Sequence, residues 1–158
     1  MENLLKDKIK NTSALPIGIS EKNVKPFLYN FEENIVNIIT AKDIECIKPF
    51  IISIMSVFKL INNVDVVLID LSKLIDKSEF NFIEKFNRLT ERLNRNFDKR
   101  ENVKIIYIII GIDMFINNLG TEKELFTQNL DAAKKCSNCY FIVVDTATKI
   151  KAHQLDSW

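Results

Sequence analysis

Residues Ala41–Lys48, A-K-D-I-E-C-I-K, occupy the place where phosphate chemistry would sit in this chain. They join a strand-like run, Asn34–Thr40, to an apolar segment of helix length, Phe50–Ile61. A strand, a loop and a buried helix in that order form the frame of a phosphate-binding loop. The working motif is G-x-x-x-x-G-K-[ST]. Its glycines let backbone N–H groups wrap the phosphates, its lysine reaches the terminal phosphates, and its hydroxyl holds magnesium. On that frame Ala41 stands at the first glycine, Cys46 at the second, Ile47 at the lysine and Lys48 at the hydroxyl. Asp43 and Glu45 add negative charge where a triphosphate would lie, a repulsion of roughly a kcal/mol or more at short range. Sliding the frame by one residue gives Lys48 the lysine place, but Pro49 then holds the hydroxyl place and no metal ligand remains. No cofactor is expected, with ATP and magnesium at Lys48 as the alternative.

Other residues that could do chemistry have plainer readings. Asp70 ends the β-branched run Val64–Leu71, a position where functional carboxylates gather and where an acid also caps a loop. Asp113 follows the run Val103–Ile112 and reads as a helix cap. Cys136 and Cys139 form one C-x-x-C, which without a second ligand pair argues for structural cysteines over zinc. Arg88, Arg92, Arg95, Lys99 and Arg100 offer an arginine finger or a nucleic-acid contact, but Glu84, Glu91 and Asp98 interleave with the stretch and favour a solvated face. His153 is the only histidine and has no evident partner in the sequence. Trp158 is the only tryptophan, and packs on the domain edge or serves as a partner contact.

The elements that would position these residues follow from periodicity. Residues 1–13 read as a linker or weak helix, and Leu15–Ser20 and Pro26–Phe31 as two short strands around a polar turn. Phe50–Ile61 is apolar nearly all round, as in a helix buried on most sides, with Pro49 tolerated in its first turn. Ser78–Asp98 carries Phe82, Phe86, Leu89, Leu93 and Phe97 at helical spacing, which predicts an amphipathic helix. Thr121–Lys135 has acids in its first turn and lysines in its last, in the order that suits a helix dipole. Cys139–Asp145 is a buried strand, followed by a short helix and a polar tail. Runs such as Val64–Leu71 and Val103–Ile112 do not alternate, so they predict strands covered on both faces. The alternation β-α-β-α-β-α-β after residue 34 predicts an α/β domain over 14–158, a mainly parallel sheet with helices on both faces and a short N-terminal strand hairpin.

Bulk composition narrows the function classes. The chain has 158 residues, 47% hydrophobic and 27% charged, enough for one domain with a substantial core. Its formal net charge of +1 gives no electrostatic reason to expect a nucleic-acid partner. No apolar run approaches the ~20 residues that span a bilayer. Three cysteines without a scaffold spacing suggest a reducing compartment. Only three glycines are present, which is few for phosphate-cradling loops.

Taken in order, LPIGI before PFLYNF, then NIVNIIT, VDVVLIDLSKLI, KIIYIIIGIDMFINNL and NCYFIVVDTATKIKAHQLDSW resemble the FtsK/SpoIIIE superfamily over residues 14–158. The chain looks most like the C-terminal, third ATPase module of type VII secretion motors of the EssC/EccC kind. The resemblance implies a RecA-like P-loop NTPase fold. In that family the Walker B strand ends in Asp-Glu, whereas the matching positions here fall at Ile109–Ile110 or Ile110–Gly111, which carry no carboxylate. The resemblance thus implies a non-hydrolytic module of a membrane-anchored, hexameric motor. Its partners would be secreted substrate proteins and neighbouring ATPase modules of the same parent chain, its role substrate recognition and regulation, and its location cytoplasmic. A divergent but active P-loop ATPase of a secretion or DNA-translocation motor is the alternative.

Overall fold

The computed structural model describes residues 14–19, 26–76, 81–82, 103–135 and 138–153. Strands β1 (Ala14–Ile19) and β2 (Pro26–Asn30) pair antiparallel as a separate hairpin, with a register irregularity between Pro16 and Gly18. The main sheet is built from β3 (Val36–Ala41), β4 (Val64–Asp70), β5 (Asn81–Phe82), β6 (Lys104–Ile110) and β7 (Cys139–Thr146). Its order is β3-β7-β6-β4-β5, and every neighbouring pair is parallel. Helix α1 (Lys48–Phe58) follows β3, α2 (Ile112–Leu119) and α3 (Lys123–Lys135) follow β6, and α4 (Ala147–Ala152) follows β7.

Parallel strands need crossovers, and the crossing helices cover both faces of the sheet. Val67, Ile69, Tyr107, Ile109, Phe141 and Val143 point to one side, where Phe115 of α2 and Phe126 of α3 meet them. Leu68, Ile106, Ile108, Ile110, Ile142 and Val144 point to the other, against Ile51, Met55 and Phe58 of α1 and Leu15 and Phe31 of the hairpin region. Ring contacts lock each layer. Tyr107 stacks on Phe141 at 5.2 Å, while Phe31 meets Phe58 edge-on at 5.3 Å and Tyr140 at 5.5 Å. The α/β reading, with a parallel sheet wrapped on both faces and an N-terminal hairpin, matches this architecture.

Three local expectations change. Asn81 and Phe82, read as the start of an amphipathic helix, instead extend the sheet by pairing with Val67 and Leu68. The open side of β4 offers ladder partners there, and sheet pairing overrides the helical spacing. The run Val103–Ile112 ends as a strand at Ile110; Gly111 turns left-handed at φ +80° and Ile112 opens α2. The apolar helix begins at Lys48, two residues before the apolar run, with Pro49 in its first turn. Residues 1–13, the remainder of the 78–98 helix with Arg88, Arg92, Arg95, Lys99 and Arg100, and Cys136 and Trp158 lie outside the described residues.

Candidate functional site

The carboxyl ends of β3, β7, β6 and β4 lie side by side, and ligands of open parallel sheets collect at such ends. Ala41 is the last residue of β3 and packs half-buried against the α1-side core. The chain then makes a 3-10 turn, Ile44–Ile47, before α1. Asp43 caps that turn, its side chain accepting from the Glu45 N–H at 3.0 Å. The Cys46 N–H donates to the Asp43 carbonyl at 3.2 Å, and the Lys48 N–H to the Glu45 carbonyl. Pro49 has no N–H to offer. The loop thus spends the amides of Glu45, Cys46 and Lys48 on itself, where a phosphate cradle would aim them outward.

Backbone conformation points the same way. A nest of successive N–H groups uses a left-handed step or equivalent turn, and no residue between Ala41 and Lys48 has a positive φ. Ile47 is 5% exposed and packs into the core beside Ile51 and Ile54, so the lysine position of the frame faces inward. Cys46 is an exposed free thiol, and the Lys48 side chain is exposed. The geometry therefore brings Ala41, Cys46, Ile47 and Lys48 onto one loop without a convergent set of donors.

The neighbouring strand ends carry two buried acids. Asp70 is 2% exposed; its Oδ1 accepts from the Ser72 hydroxyl at 2.6 Å and its Oδ2 from the Ile75 N–H at 2.7 Å. Both oxygens close the turn after β4. Asp145 is 1% exposed and stands opposite Thr40 of β3. Its Oδ1 accepts from the Thr146 N–H at 2.7 Å and lies 3.9 Å from Lys149 Nζ, while its Oδ2 is buried without a partner among the described residues. At the Walker B position Ile109 and Ile110 are fully buried, one on each face, and the Gly111 N–H donates to the Val144 carbonyl at 3.0 Å. Among the described residues no group of three or more His, Cys, Asp or Glu is placed to hold a metal.

Two single-residue readings are corrected here. Asp113 does not cap its helix: Gly111 is the N-cap, and Asp113 lies in the first turn. Its Oδ1 is 2.8 Å from Nε2 of His153, which therefore has a partner, and the pair ties the end of α4 to the start of α2. No short-range pattern signals a contact spanning the whole β6-to-α4 segment. Cys139 is buried in the first position of β7, as a structural cysteine would be.

A second feature lies at the β3 edge. Leu15, Ile17, Tyr29, Ile39, Phe50, Ile54 and Ile142 line an apolar groove of about 290 Å³, and Ile38 and Leu28 are exposed at 42% and 57%. Asn37 is 4% exposed there, and its Nδ2 donates to the Phe31 and Asn34 carbonyls, each at 3.0 Å. Its Oδ1 accepts from the Tyr29 hydroxyl, which anchors the hairpin to the sheet.

No family model matches the chain, and no curated protein matches it by sequence. Solved structures do match it in fold. The cytoplasmic domain of EssC superposes with a TM-score of 0.70 at 15% identity, covering 94% of this chain and 34% of that one. EssC (ATPases 2 and 3) from Geobacillus thermodenitrificans gives 0.69 at 15% identity, over 94% and 31%. Thermomonospora curvata EccC (ATPases 2 and 3), solved in complex with a signal sequence peptide, gives 0.55 at 10% identity, over 94% and 31%. The chain thus has the RecA-like fold of the ATPase domains of type VII secretion motors, and it spans about a third of the length of those three solved chains. No helix among the described residues is long and apolar enough to cross a membrane.

Proposed function

We propose that the chain is a non-hydrolytic module of a type VII protein secretion motor, acting in substrate recognition and in regulation of active ATPase modules. The observation that carries this reading is the loop Ala41–Lys48. In a fold shared with secretion ATPases, the amides of Glu45, Cys46 and Lys48 are satisfied within the loop, it makes no left-handed step, and Ile47 is buried where a phosphate-binding lysine would project. Catalysis of phosphoryl transfer rests on positioning and charge stabilisation around the phosphates and metal, and this loop offers little of either. The EccC neighbour solved with a signal sequence peptide supports recognition of secreted proteins as the retained role. On this reading the module works in the cytoplasm, beside ATPase modules of a membrane-anchored, hexameric parent assembly, without nucleic acid.

Calorimetric titration with Mg-ATP, together with a phosphate-release assay, tests the nucleotide half. The expected result is no saturable binding at millimolar nucleotide and no turnover. Saturable, magnesium-dependent binding weakened by Lys48→Ala would overturn it in favour of a divergent ATPase. Pull-down of purified type VII substrates by the chain tests the recognition half; no retained substrate would sink it.

A further inference from the structure

None of the six residues of α4 is buried, and its one large apolar side chain, Ile150, only leans on the α2-side core layer. Thr146 stands at the N-cap without a side-chain bond to the helix. Six residues are too few for a helix to persist by propensity, so tertiary ties decide whether α4 stays formed. Two such ties are in place. Lys149 Nζ lies 3.9 Å from Asp145 Oδ1, and Nε2 of His153, just past the helix, lies 2.8 Å from Oδ1 of Asp113 on α2. The Lys149 side chain is 47% exposed, so solvent weakens the first tie. The His153 side chain is only 18% exposed, and the second tie is the firmer one.

Asp145 lies beneath. Alternation along β7 turns it to the same side as Phe141 and Val143, the side that α2 covers. Helix α4 packs against α2, β3 and β7 and closes over it. The Asp145 Oδ1 accepts from the Thr146 N–H, but Oδ2 is buried without a partner among the described residues. A carboxylate oxygen held from water without a donor opposes the closed arrangement, because hydration would satisfy it. We propose that α4 is a releasable strap over the carboxyl end of β7. The His153–Asp113 pair holds it closed, the half-satisfied carboxylate of Asp145 favours its release, and release presents that carboxylate at the strand ends. Elements held by few buried apolar contacts open locally, ahead of the global unfolding of the core. Here one hydrogen-bonded pair stands against one desolvated oxygen, so single side chains set how often the strap opens. Neither nucleotide nor a secreted substrate enters this balance.

Amide hydrogen exchange of the intact chain, followed by NMR across a urea series below the unfolding midpoint, separates strap opening from global unfolding. The α4 amides are expected to exchange through an opening nearly independent of urea, while the amides of β6 and β7 follow global unfolding. Asp113→Asn and His153→Ala are each expected to speed α4 exchange about fivefold, and the double variant no more than either alone. Asp145→Asn keeps the shape of the side chain and an acceptor for the Thr146 N–H while removing the charge. It is expected to slow α4 exchange about fivefold, opposite in sign to the other two. A carboxylate that anchored α4 would give the reverse, so an unchanged or faster rate in Asp145→Asn overturns the strap. So does α4 exchange that tracks β6 at every urea concentration, or a double variant whose effect is the product of the single ones. The urea series and the Asp113 and His153 variants keep the test decisive if Asp145→Asn does not fold.

Discussion

Gly111 occupies φ +80°, where the chain leaves β6 and turns into α2. A Cβ placed there would meet Ser72 Cβ at 3.6 Å, an ordinary contact, so conformation and not crowding requires the glycine. Gly111→Ala is expected to cost about 1–2 kcal/mol and to lower the melting temperature by a few degrees, read by thermal denaturation. Tyr140 makes a pH prediction. Burial first, then the Glu32 and Cys139 charges, raises its hydroxyl above the ordinary value of 10.0. The unfolded chain therefore releases this proton at lower pH than the folded chain does. The stability it contributes is complete below about pH 10 and is lost as pH rises through the folded value. Urea midpoints followed upward from about pH 9 should fall in the wild type and fall less steeply in Tyr140→Phe. At this scale the sequence is legible only in part. Asp70 and Cys139 stand where the sequence places them, Asp70 as the last residue of β4 and Cys139 as the first of β7, because each marks the end of a legible strand. The partner of His153 is not legible, since Asp113 reaches it only once α2 and α4 are packed side by side.

The loop before α1 shows how an element can keep its frame and change its content. Residue types alone mark the missing glycines and lysine. They do not reveal that Glu45, Cys46 and Lys48 donate their amides within the loop, because that depends on the 3-10 turn. Restoring a lysine at the frame position is accordingly expected to fail as a gain of function. Ile47→Lys would force an ammonium among Ile51, Ile54 and their neighbours, costing about 3 kcal/mol or more in urea unfolding without conferring Mg-ATP binding. Strands with uninterrupted β-branched residues were legible because burial on both faces leaves that signature. Asn81–Phe82 was hidden because two strand residues at the head of a helical pattern cannot outvote it, and only the unfilled side of β4 decides their fate.

Across the whole molecule, two apolar layers share one sheet, so a defect in either layer is felt through the strands. Phe115 is fully buried and meets Phe126 edge-on at 5.1 Å. Phe115→Ala is expected to cost about 3–5 kcal/mol, with the described elements still melting in a single transition by calorimetry. The alternation of strand and helix made the wrapped parallel sheet readable, whereas the strand order came only from tertiary structure. That order has a consequence for synthesis on the ribosome. Strand β3 is made before β4, β5 and β6, and its neighbour in the sheet, β7, only after all three. At about 5–20 residues per second, translation leaves the nascent β3 waiting on the order of ten seconds for the partner that will cover its inner side. The hairpin and α1 are its available shelter during that interval, and a chaperone that shields apolar strands would find its substrate there.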